Sequence, residues 1–286
     1  MISPPAASSQ GDDELLVIDA DQPTRWFDLR EIWRHRELVW ILAARDIKVR
    51  YRQAAVGLAW VVLQPVAETL VFTGLFSLLG KRPATGEAPY GASLFCGLVL
   101  WQLFASIVTA STTCLVDNRQ LLTKVYFPRV VLPLSAALRP LVDFGVACTV
   151  LALLLAWHWI APTVAWVVAP VVVAVTVLTA LSLGLWLSAL NAHYRDFGYI
   201  VPFLLRIGFF ISPVIYETAS LIPPQWRPVY GLNPMASLLD AFRWSLLGTE
   251  APSLLSLTIS TVALLVVLWT GAWYFRRVER FLSDRI

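Results

Sequence analysis

The nearest approach to a phosphate-binding loop in this sequence is Gly74, Gly80, Lys81 and Arg82. Such a loop needs four residues between its glycines and a Ser or Thr after the lysine, so that backbone amides cradle a phosphate and the hydroxyl meets magnesium. Five residues separate these glycines, Arg82 stands where the hydroxyl belongs, and the run closes an apolar segment instead of following a strand. No nucleotide site is legible, so no cofactor is expected on this chain. Any ATP-driven step needs ATP and magnesium on another chain. His193 and Asp196 could make an acid/base pair, but no nucleophile or metal ligand accompanies them, and a loop contact is the better reading. Cys96, Cys114 and Cys148 are an odd number in apolar runs, which is no disulfide framework. His35, His158 and His193 show no ligand spacing. No catalytic residue, no metal site and no nucleic-acid partner is expected.

What remains is a set of ionisable groups inside apolar segments, where charge is costly and usually faces a bundle interior or a water-filled path. Arg139 and Asp143 are four residues apart, so the spacing predicts a pair along one helix face. Glu68 lies on a ridge with Trp60, Gln64, Phe72 and Phe76, each step four residues. Arg206 shares a face with Tyr199, Phe203, Phe210 and Pro213. Both faces mix polar and aromatic groups, which a lipid-facing surface does not need. They read as the lining of a path on which sugar rings could stack weakly and move on. The alternative is helix packing, with Glu68 bonded to a neighbour.

The elements that must position these groups are membrane helices. The 286 residues are 58% hydrophobic and 14% charged, with a mean hydropathy of +0.67. Soluble domains carry about 25% charged residues, so the chain reads as an all-α integral membrane protein. Six spans are predicted, at 54–79, 93–116, 130–157, 165–190, 199–216 and 254–274. Before the first, residues 29–52 form an amphipathic helix that continues into the span. Leu29, Ile32, Trp33, Trp40, Ala43, Ile47 and Tyr51 make its apolar stripe, with arginines on the other faces. That pattern suits a helix lying in a membrane interface. Residues 1–28 read as a cytoplasmic tail, 29–275 as the transmembrane domain and 276–286 as a second cytoplasmic tail. The start is acidic at Asp12, Asp13 and Glu14 and lacks the pattern of a signal peptide.

Charge sets the orientation. Sixteen Lys and Arg residues fall on the side of the two termini and four on the other, which predicts both termini in the cytoplasm. The last connection, 217–252, holds Pro223, Pro224, Pro228 and Pro234 and cannot be one helix. It contains an apolar run, 234–247, with Met235, Leu238, Leu239, Phe242 and Leu246 on one face and Asp240 and Arg243 off it. Too short to span, this run is predicted to be a re-entrant or interfacial helix on the outer side. Trp157, Trp159, Trp166, Tyr216, Trp226, Tyr230 and Trp244 fall near outer span ends as an interfacial belt.

Several of these segments together resemble the polysaccharide-exporting permeases of type-2 ABC transporters, which move O-antigen, teichoic acid or capsule chains. The carriers of the resemblance are the run Arg45 to Tyr51 followed by Gly57, Trp60, Gln64 and Pro65, then Asn118, Leu122, Lys124, Phe127, Pro128 and Pro133. Tyr194, Arg195 and Asp196, the run Ser212 to Tyr216, and Asn233 with Pro234 complete it. The resemblance implies a homodimer with two ATP-binding cassette subunits in the bacterial inner membrane, among membrane lipids. It implies a lipid-linked glycan as cargo. It implies that Arg45, Lys48, Asn118, Leu121, Leu122, Lys124 and Phe127 couple to the ATPases, and that Asn233, Pro234, Met235, Leu238 and Phe242 belong to an exit gate. Two other readings stand beside it. One is a permease of the same class for a small drug or lipid. The other is a membrane-embedded glycosyl- or acyltransferase, which would need convergent carboxylates or histidines that the sequence does not show.

Overall fold

The computed structural model describes residues 33–52, 57–79, 88–125 and 127–282, and among these it is helical with no strand. The helices are α1 (Arg36–Arg52), α2 (Gly57–Leu78), α3 (Tyr90–Asp117), α4 (Arg119–Lys124), α5 (Val131–Trp157), α6 (Ala169–His193), α7 (Phe197–Ile211), α8 (Thr218–Leu221), α9 (Arg227–Tyr230), α10 (Pro234–Leu247) and α11 (Leu254–Leu282). Five of them, α2, α3, α5, α6 with its preceding 3-10 turn, and α11, are long and apolar enough to cross a membrane. The expected fifth span, 199–216, is shorter as a helix. It stops at Ile211 because Ser212 is extended (ψ 151°), as the residue before a proline prefers.

The bundle is built around α3. Leu94, Leu98, Leu100, Ile107 and Leu115 are buried along its whole length, and α5, α6, α7, α10 and α2 all pack on it. Small residues set how closely neighbours approach. A Cβ on Gly184 of α6 would meet the Ser111 Cβ of α3 at 2.5 Å, and one on Gly271 of α11 would meet the Ser182 carbonyl at 2.7 Å. Such contacts hold membrane helices together through packing, where no hydrophobic gain separates helix from lipid. The buried hydroxyls of Thr176, Thr179, Ser182 and Ser188 on α6 donate to carbonyls of their own helix, so the apolar setting leaves none of these four unsatisfied.

α1 does not carry a single stripe. Leu42 and Ala43 are buried, and Leu42 sits in a cluster with Cys114, Leu115, Phe127, Val131, Leu132 and Phe275. Trp33, Trp40, Ile41 and Val49 stay exposed. The helix is pressed against α5 on one side and leaves its tryptophans on the free side. Leu29 and Ile32, and the join at 53–56 that was expected to be continuous helix, lie outside the described residues. The expected pair within α5 also gives way. Asp143 accepts from Tyr51 Oη (2.6 Å) and lies 3.2 Å from Arg50, both on α1, so it does not pair with Arg139.

α7 has only 15 residues, but with the segment that follows it the chain runs along most of α3. It begins beside Asn191, whose amide donates to the Thr112 carbonyl near the end of α3 (3.0 Å). It leads into Ile215, whose carbonyl accepts from Tyr90 Oη at the start of α3 (3.0 Å). The non-helical residues 212–216 supply the missing length.

Candidate functional site

The two predicted path faces lie on neighbouring elements. Phe72 of α2 approaches Phe209 of α7, with ring centroids 6.2 Å apart, and Phe76 meets Tyr90 edge-on at 5.7 Å. Phe209 in turn meets Trp101 of α3 at 6.2 Å, and Trp101 meets Phe104 at 5.4 Å. Phe72 and Phe76 are therefore half-buried packing groups, and they turn the remaining members outward. Tyr199 is 85% exposed, Phe203 62% and Phe210 61%. Trp60, Gln64 and Arg206 are exposed as well. Gln64 Nε2 donates to Glu68 Oε1 (3.1 Å). Among the described residues Glu68 and Arg206 form no ion pair. The geometry thus separates an inner aromatic ladder, with Phe209 and Trp101 as members that helical spacing did not single out, from an uncovered face of rings and one cation on α7.

The expected coupling residues gather at the opposite end of α3. Arg45 Nη2 donates to Asn118 Oδ1 (2.8 Å), and Asn118 Nδ2 donates to the Cys114 carbonyl (2.9 Å). This ties α1 to the corner between α3 and α4. Lys48 and Lys124 are exposed, Leu121 and Leu122 are half-buried, and Phe127 is buried in the cluster beneath α1. A partner docking at this corner would meet Lys48, Gln120 and Lys124, with Phe127 supporting the corner from below. The Arg45–Asn118 bond is exposed, so Arg45→Ala and Asn118→Ala should each cost about 0.5–1 kcal/mol. A double-mutant cycle on thermal melts should show the double change to be less than additive. Full additivity would mean the two side chains do not meet in solution.

At the end where α7 stops, a group placed off the apolar face proves to be the largest fully buried side chain among the described residues. Arg243 of α10 is 1% exposed. Its Nε donates to the Ser93 carbonyl on α3 (2.9 Å), Nη1 to the carbonyls of Pro213 and Tyr216 (3.0 Å for the latter), and Nη2 to that of Val214. Asp240 stands 3.9 Å away. A guanidinium offers five donors in a planar fork; here three of them meet carbonyls that the break after Ile211 leaves without helical partners, and a fourth reaches the Ser93 carbonyl on α3. Gly97 is required beside it, since a Cβ there would collide with the guanidinium. The neighbouring carboxylate, Glu217, accepts from Ser93 Oγ (2.9 Å).

The expected gate residues frame the same place. Asn233 caps α10 by accepting from the Met235 amide (3.1 Å) and donates to Ser212 Oγ (2.8 Å), with Pro234 at the first helical position. Met235, Leu238 and Phe242 point into the core. Tyr216 and Tyr230 share a hydrogen bond (2.6 Å), and Tyr230 Oη also donates to the Ile211 carbonyl. α10 is thus sewn to the end of α7 by side chains. Arg227 pairs with Glu250 across the next turn (3.1 Å). Among the described residues no group of three or more His, Cys, Asp or Glu side chains is placed to hold a metal.

A bundle with five helices long and apolar enough to cross a membrane, an uncovered aromatic face, a charged corner at one end and short broken helices at the other is the architecture of a multi-pass membrane protein. Residues 37–247 match the ABC-2 type transporter family, and the chain belongs to that family. It is 32% identical to an O-antigen export system permease protein of Myxococcus xanthus over 88% of this chain and 97% of that one. A permease protein of the same name from Klebsiella pneumoniae is 28% identical over 72% of this chain and 79% of its own. A polysialic acid transport protein of Escherichia coli is 24% identical over 85% and 94%.

Proposed function

We propose that this chain is the membrane subunit of an ATP-driven exporter that moves a lipid-linked polysaccharide, O-antigen first among the candidates, across the bacterial inner membrane. The observation that carries the reading is the identity, over nearly the whole length of the relative, to an O-antigen export permease. The uncovered face of Tyr199, Phe203, Arg206 and Phe210 suits such a cargo. Rings offer flat surfaces to sugar faces, and a lone guanidinium offers hydrogen bonds to hydroxyls without a closed pocket that would stop the chain from sliding.

In this reading the chain works as a homodimer with two ATP-binding cassette subunits, which hold ATP and magnesium. They dock at the Arg45–Asn118 corner, in the cytoplasm with both termini. α7 and the non-helical residues after it make the sixth crossing. α8 to α10 fold back on the outer side, and Asn233, Pro234, Met235, Leu238 and Phe242 move with the exit. The segment before Arg52 lies along the cytoplasmic interface.

Deleting the gene in its own host tests this. The expected result is loss of surface glycan with build-up of lipid-linked glycan on the cytoplasmic face, restored by a plasmid copy. Unchanged surface glycan would end the reading, and sensitivity to small drugs instead would favour the drug permease. Labelling of single cysteines at Ser8 and Ser283 in intact cells, with the native cysteines removed, checks the orientation. Reaction with an impermeant reagent at either site would overturn it.

A further inference from the structure

α1 engages both oxygens of the Asp143 carboxylate, one through Tyr51 and one through Arg50. Burial, then the bond to Asp143, pushes the Tyr51 phenol up to about 12, so it remains the donor. Arg139, one turn earlier on α5, therefore loses the partner that its spacing predicts. Its Nε is sealed from solvent with no hydrogen-bond partner, and among the described residues it forms no ion pair. The cluster holds two cations and one anion. An unmatched cation on an apolar crossing helix is costly unless an anion reaches it.

The depth of the cluster says which anion can. Arg139 stands eight residues into α5, about 12 Å along its axis. The first turn of α5 is already covered by α1 and by Leu121, Leu122 and Phe127. Arg50 and Tyr51 lie in the last turn of α1, seven and six positions before the crossing helix α2 begins at Gly57. The cluster thus lies in the half of α5 nearer its start, from which a long guanidinium side chain can reach toward the headgroups of that leaflet. Guanidinium forks match phosphate oxygens in pairs, and basic pockets between membrane helices on one leaflet side are suited to lipid headgroups.

We propose that Arg139 and Arg50, held in place by the Tyr51–Asp143 clasp, bind a phosphate group carried on a lipid in the leaflet at this end of the bundle. The phosphate can belong to an anionic phospholipid of the bilayer or to the phosphorylated lipid on which a glycan rides. The second source rests on the function proposed above, and the first does not.

The test melts the purified full-length permease, stripped of lipid in detergent, alone and with three probes: phosphatidylglycerol, a long-chain isoprenyl diphosphate and inorganic diphosphate. Arg139→Gln and Arg139→Lys are run beside the natural chain. Without lipid, Arg139→Gln should melt at or above the natural chain, because it removes a cation that has no partner. With a lipid phosphate the natural chain should gain stability. Arg139→Gln should need at least about tenfold more of it, the equivalent of ~1.4 kcal/mol, and Arg139→Lys should fall between. Preference for the isoprenyl diphosphate assigns the site to the carrier lipid, and preference for phosphatidylglycerol assigns it to the bilayer. A response to inorganic diphosphate equal to that for the lipids would overturn the lipid requirement. Equal responses of the natural chain and Arg139→Gln to both lipids, or a lipid-free Arg139→Gln that melts far below the natural chain, would overturn the site.

Discussion

Arg243→Ala is expected to strip folded protein from the membrane, with a loss of about 3–5 kcal/mol in stability. The reason is the number of groups that lose their partner together. The carbonyls of Ser93, Pro213, Val214 and Tyr216 all accept from this one side chain, and in an apolar layer no water replaces it. Asp240 loses its nearest cation at the same time. Arg243→Lys should recover only a minor part, because an ammonium is a compact charge that cannot fork between α3 and the 213–216 segment. Asp240→Asn should be milder than either, since the carboxylate stands 3.9 Å away and bonds no nitrogen of the fork closely. Melting of the detergent-solubilised variants and the yield of folded permease check this. Natural melting behaviour in Arg243→Ala would show that the carbonyls find other donors.

Arg206→Ala should leave the fold intact and lower glycan export about tenfold, as expected for one lost contact worth ~1.4 kcal/mol in the moving complex. The side chain is exposed and forms no ion pair among the described residues, so its removal strands no protein group. Phe203→Ala, on the same exposed face, should have a smaller effect of the same kind. Phe72→Ala is a poorer probe, because its ring packs toward Phe209 and its loss also disturbs the aromatic ladder. Glu68→Gln combined with Arg206→Ala should be additive, since Glu68 is bonded to Gln64 and not to Arg206. The measurement is surface glycan per folded permease in the membrane. Full export in Arg206→Ala with Phe203→Ala would move the path to another face.

The long helices were legible because length and unbroken apolarity suffice to find them, and the prolines and the short apolar run marked the broken connection and the helix α10 within it. The identity of the central helix was not. α3 is buried and α2 largely uncovered, yet both read as apolar runs, since lipid and protein interior favour the same side chains. Small residues such as Ser93, Gly97, Ser111 and Thr112 hinted at close packing on α3. Arg243 was placed off the apolar face of α10 because helical spacing sends a charge outward by default. Its partners are backbone carbonyls, which no residue letter announces. Asp143 went to the wrong partner for a related reason. The spacing i to i+4 sees only its own helix, whereas Arg50 and Tyr51 reach it from one 92 residues away for the tyrosine.

The Arg243 fork also fixes a sequence of events during synthesis. Ser93 and Arg243 are 150 residues apart, which at a translation rate of about 5–20 residues per second is roughly 8–30 s. During that interval the second crossing helix is already in the bilayer with its neighbours, while the carbonyls after Ile211 emerge before the side chain that will satisfy them. The core at this end can close only once residue 243 has been made. A ribosome that stalls or terminates before codon 243 leaves a bundle open at one end, a natural substrate for membrane quality control.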